Sequence, residues 1–164
     1  MNTRTCRIAC IAVALFGLGG CTSDSTEGDS VVVEVRAGRA VDLPKTARAH
    51  LVLYGIDSAM ADQPASVVAA YDGLIERLPA TVGLDLPARP TERIDPLTSE
   101  PRPRWYLHIE ISAAGDFSVR CPGDWIEDYD RSPFSATGSI AELPRELWVK
   151  EVAPADGGCL SLSR

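Results

Sequence analysis

The chain has 164 residues and a formal net charge of −7, from 16 basic and 23 acidic residues. That balance leaves no basic patch and argues against nucleic acid as a partner. Once a short leader is set aside, the length suits one compact domain, and no later stretch is apolar enough to cross a membrane.

The chain opens MNTRTCRIACIAVALFGLGGC, in which Arg4 and Arg7 are the only charges and residues 8–18 are apolar or small. A basic start followed by an apolar run of this length has the make-up of a secretory signal. At about 1.5 Å per helical residue, the run is too short to span a hydrocarbon core of about 30 Å. Polar and acidic residues follow it at once, where a membrane anchor would carry basic ones. Leu18-Gly19-Gly20-Cys21 is similar to a bacterial lipobox. That resemblance implies cleavage before Cys21, a diacylglycerol on its sulfur and two or three acyl chains, enough for stable anchoring. Thr22 follows, rather than the Asp that tends to retain such proteins at the inner membrane, which implies a periplasm-facing protein of the outer membrane. The chain then divides into a signal over 1–20, an acylated cysteine with a polar tether over 21–30, and a folded domain over 31–164. Removing Arg4 and Arg7 with the signal leaves 14 basic against 23 acidic residues, a net of −9.

The cysteines sort by this division. Cys6 and Cys10 leave with the signal, and Cys21 carries lipid. Cys121 and Cys159 remain as an even pair in an oxidising compartment, which predicts a disulfide closing a loop of about 38 residues. Two buried thiols are the alternative.

Within the domain, alternation recurs. In VVVEVR, Val31, Val33 and Val35 share a face; in ARAHLVLY, Ala47, Ala49, Leu51 and Leu53 do. Residues 66–78 place Val67, Val68, Tyr71, Leu74, Ile75 and Leu78 at helical spacing, which favours an amphipathic helix. Asp72-Gly73 in the middle opposes it, since glycine there costs about 1 kcal/mol. The competing reading is a strand over 66–74, a turn near Glu76-Arg77 and a strand over 80–86, and pattern alone does not choose. Residues 87–104 hold five prolines and read as loop. WYLHIEI is the clearest half-buried strand, with Trp105, Leu107, Ile109 and Ile111 on one face. Ala114-Gly115-Asp116 predicts a hairpin turn into FSVRC. CPGDWIEDYDRSPF reads as irregular chain and 147–152 as another strand. Short strands separated by turn residues in one domain predict an all-β fold, a single antiparallel β-sandwich.

Leu43-Pro44, the strand to Tyr54, Asp57, Ala61-Asp62-Gln63-Pro64, Arg93-Ile94-Asp95-Pro96 and YLHIEI-SAAGDF occur in the order seen in small lipoproteins of the YbaY/YscW type, which this chain resembles over about residues 31–119. The resemblance implies a β-sandwich anchored to the outer membrane and a strand pair over 66–86. Some members are pilotins, which escort secretin subunits of secretion systems to the outer membrane. The proline-rich stretch 97–104 and the C-terminal region depart from the pattern, and the matched residues do not decide which branch this chain joins.

The search for chemistry is short. His50 and His108 are the two histidines, both at polar-face positions of strands. No Gly-x-Ser-x-Gly elbow occurs, and no metal or cofactor is expected. Asp124, Glu127, Asp128 and Asp130 lack the spacing of a calcium loop and read as a solvated acidic turn. Trp105 reads as core, while Trp148 and Trp125 are the candidates for contact with a partner or ligand. The leading reading is a non-enzymatic binding or assembly role, with the membrane reached through Cys21 and a secretin or other envelope protein as partner. The alternatives are a small-molecule or glycan-binding protein, favoured by a pocket lined with aromatics, and an envelope hydrolase, favoured by a histidine within about 3 Å of a carboxylate.

Overall fold

A computed structural model describes residues 29–60, 62–131, 135–153 and 158–162. The signal, Cys21 and nearly all of the tether lie outside the described residues, as does Ala61. The strands in chain order are β1 (Ser30–Arg36), β2 (Val41–Asp42), β3 (Arg48–Asp57), β4 (Ser66–Leu74), β5 (Arg77–Leu78), β6 (Ala80–Asp85), β7 (Pro103–Ser112), β8 (Val119–Arg120), β9 (Trp125–Glu127), β10 (Ser135–Thr137), β11 (Glu146–Glu151) and β12 (Leu160–Ser161). The only helical segments among the described residues are two short 3-10 turns, Pro90–Arg93 and Ile140–Glu142.

The all-β expectation holds. Eight strands form one large sheet in the order β4-β3-β7-β9-β11-β1-β6, with β10 pairing β7. All its pairings are antiparallel except that of β1 with β11. The end strands β4 and β6 lie against each other, so the sheet is nearly closed and barrel-like, and its opposite walls face each other across the core. Alternation built these walls. Val31, Val33 and Val35 of β1, Ala49, Leu51 and Leu53 of β3, and Trp105, Leu107, Ile109 and Ile111 of β7 all point inward and are buried.

Residues 66–78 resolve to strands. β4 pairs β3 over its full length with one irregularity at Leu53/Tyr54. The apolar residues that mimic a helical stripe are divided between the two sides of the sheet. Val68, Ile75 and Leu78 are buried, while Val67 and Leu74 are 57 % and 63 % exposed.

Two expectations need correction. FSVRC does not return along β7 as a hairpin. Gly115 turns the chain at φ +79°, but β8 pairs with β12 in a separate small ladder. The strand that does pair there is β9, through Glu110 with Ile126 and Ile111 with Trp125. The tract read as irregular therefore contains a sheet strand. The β8–β12 ladder ties the C-terminal tail to the body, and Cys121 Sγ and Cys159 Sγ stand 1.98 Å apart beside it.

The proline-rich loop is also ordered by one carboxylate. Asp57, at the end of β3, is fully buried. Its Oδ1 accepts from the Ala59 and Arg102 amides at 3.0 and 2.9 Å, and its Oδ2 from the Thr98 amide and hydroxyl at 3.0 and 2.6 Å. The Thr98 hydroxyl and these amides hold its carboxyl well below the usual carboxylate range. Farther along, Ile94 packs against Gly55, where an added Cβ would stand 2.8 Å from Ile94 Cγ1 and 2.9 Å from Trp105 Cζ3.

Candidate functional site

On the outside of the sheet, β3 and β7 place Tyr54 opposite Tyr106 in register, with His108 two residues farther along β7. Outward-pointing positions of adjacent strands line up in rows, so these rings form one surface. Tyr129, just past β9, is 67 % exposed and borders the same surface. The result is a cleft of about 490 Å³, with Tyr54, Tyr106 and Tyr129 as walls and Ile56, Gln63 and His108 among its lining. That volume lies in the usual range for ligand clefts.

Under the cleft is a charged cluster. Glu127 is only 2 % exposed, and its Oε1 accepts from the Ile109 amide at 2.7 Å. The amide sits where β7 has left β9 and has not yet met β10, so the carboxylate fills a gap in the ladder. His108 Nδ1 lies 3.0 Å from each oxygen of Glu127, and the Tyr129 hydroxyl donates to Oε2. His108 Nε2 is 3.6 Å from Glu110, which also takes the Arg120 guanidinium. Glu110 and then Glu127 raise the His108 imidazole to about 9 against the cost of burial. Contact with His108, then with Arg120, lowers Glu110 to about 2.

The cluster corrects the reading of the acidic tract as a solvated turn. Glu127 and Asp124 are buried because each serves backbone amides, Asp124 accepting from Ala113 at 2.8 Å and Cys121 at 2.6 Å. Among the described residues no group of His, Cys, Asp and Glu is placed to hold a metal. The distance from His108 to a carboxylate meets the geometric test for an acid–base pair. Yet both ring nitrogens face carboxylates, and a ring held protonated at neutral pH offers no lone pair to a substrate. Among the described residues no serine, threonine or cysteine lines the cleft. The arrangement is a clamp between strands.

The predicted contact residues fall elsewhere. Trp125 is 6 % exposed and belongs to the core, which corrects its reading as a stacking platform. Trp148 is half-buried on the outside of β11, where Arg131 lies 5.2 Å from its ring centroid and its Nε1 donates to Glu146 at 2.7 Å. His50 sits 3.5 Å from Asp72 and 5.4 Å from the Phe117 ring. Tyr54 and Tyr106 escaped sequence reasoning, though their alternation with buried neighbours already placed both on the outer face. Glu127 could not have been linked to His108, which is 19 residues distant.

No protein-family model matches this chain, and no curated protein does. Among solved structures it is similar to an alternative pilotin from the type II secretion system of Vibrio cholerae. The two share 18 % identity over 77 % of this chain and 98 % of that one, with a TM-score of 0.51. At that identity the likeness is one of fold.

Proposed function

We propose that this chain is a lipid-anchored envelope protein of the YbaY/YscW type with a non-catalytic assembly role, and that its partner is a secretin-class subunit which it escorts to the outer membrane. The observation that carries this reading is the fold shared with a pilotin over nearly all of that protein's length. The lipobox-like residues 18–21 and the clamped state of His108 agree with it.

The division of labour is simple. The lipid on Cys21 delivers, and the barrel holds the cargo. Val67 and Leu74 stand on the outer face of the end strand β4, in register with Tyr54 and Arg48. They give a partner segment apolar contact at no cost to the core. The test is co-purification of a secretin-class subunit with the tagged chain from detergent-solubilised envelopes. Wild type retains the subunit, and Val67→Asp with Leu74→Asp loses it while thermal unfolding stays unchanged. Equal retention by the double variant refutes this surface, and absence of any such subunit from the wild-type eluate refutes the escort reading.

A further inference from the structure

We propose that the cleft walled by Tyr54, Tyr106 and Tyr129 is a binding site for a neutral pyranose glycan. The inference stands apart from the escort reading and rests on four features of the cleft. The lining is aromatic: two cross-strand tyrosines and a third from the segment after β9 border one opening, which suits the flat C–H faces of a sugar ring. The hydroxyls of Tyr54 and Tyr106 make no hydrogen bond to the protein among the described residues, so both remain available to a ligand.

The third feature is Gln63. Its Nε2 donates to the Asp57 carbonyl at 2.9 Å, and its Oε1, covered from solvent, has no partner among the described residues. An unsatisfied acceptor is costly, and a shift of the side chain that brings it to a sugar hydroxyl in the cleft relieves that cost. The fourth is charge. Glu127 and Glu110 are balanced by His108 and Arg120, and the Glu127 oxygens are already occupied by Ile109, His108 and Tyr129. The cluster therefore carries no net charge, and Arg104 lies over the Tyr106 ring, 5.2 Å from its centroid. An ammonium would meet these cations with no carboxylate to spare, whereas a neutral polyol meets no such obstacle and can accept from Arg104.

The experiment is saturation-transfer difference NMR on the full chain in detergent micelles. The probes are cellotetraose, chitotetraose and maltotetraose, with choline and decaproline for comparison. At least one tetrasaccharide receives saturation, with an affinity on the order of millimolar or tighter, and Tyr106→Ala weakens it by about tenfold. Tyr106→Phe retains most of the affinity, since the stacking face survives. Tyr129 is largely exposed, so Tyr129→Ala gives the same test should Tyr106→Ala fail to fold. Three silent sugars, transfer unaltered by both alanine variants, or transfer to choline or decaproline in place of the sugars overturns the proposal. Loss of secretin co-purification leaves these spectra unchanged, and silent spectra leave the escort test standing.

Discussion

Replacing His108 by glutamine removes the imidazole set between Glu110 and Glu127, and the consequence is a change in how stability depends on pH. In the folded chain His108 is raised from 6.5 to about 9 by Glu110 and Glu127. A group raised on folding stabilises fully below its unfolded value, and that contribution is lost as pH rises through the folded value. The window is therefore about pH 6.5 to 9. At 1.36 kcal/mol per pH unit the full interval amounts to roughly 3 kcal/mol, and solvent screening at a side chain one-third exposed brings it to about 2 kcal/mol. Glu110, lowered to about 2, stays ionised throughout this window. Urea unfolding at pH 6, 7.5 and 9.5 measures the effect. With a slope near 2 kcal/mol per molar, the wild-type midpoint falls by about 1 M across the window. The His108→Gln midpoint falls by much less, and the two proteins converge at the alkaline end. Parallel curves for the two proteins would refute the clamp.

Other outcomes follow from particular contacts. Gly55→Ala forces a methyl against Ile94 and Trp105 and costs about 1–3 kcal/mol by thermal unfolding. Cys121→Ser opens a loop spanning 38 residues, lowers stability by roughly 3–4 kcal/mol, and exposes the C-terminal tail to limited proteolysis. Asp57→Asn puts an NH2 in place of one oxygen, which sets a donor against either the Thr98 amide or the Ala59 and Arg102 amides, so one of these two sets exchanges faster by hydrogen–deuterium mass spectrometry. Because the Asp57 carboxyl is lowered on folding, the wild-type loop keeps its protection above the ordinary carboxylate range and loses it as pH falls below it.

Where burial follows a simple alternation, the sequence is transparent. β1, β3 and β7 each put apolar residues at every second position, and those residues are buried. β4 was ambiguous for a physical reason. As an end strand it carries apolar residues on both faces, and two periods overlap in one stretch. β9 was hidden because its acidic surroundings suggest solvent, while two of those carboxylates are turned inward to satisfy amides of β7 and of the loop that follows it. Such pairings join residues 11 and 18 positions apart and leave no periodic trace. The cleft shares this property. Each tyrosine is unremarkable in its own strand, and only register brings Tyr54 beside Tyr106.

The barrel's part in this account is to hold a partner; the lipid's part is to carry both. These meet in one measurement, the amount of assembled secretin multimer in outer-membrane fractions from cells carrying the wild-type chain or Cys21→Ser at equal expression. The account predicts that the multimer is present with the wild-type chain and that with Cys21→Ser the subunits are lost from the outer membrane. An undiminished multimer in the Cys21→Ser cells would contradict it.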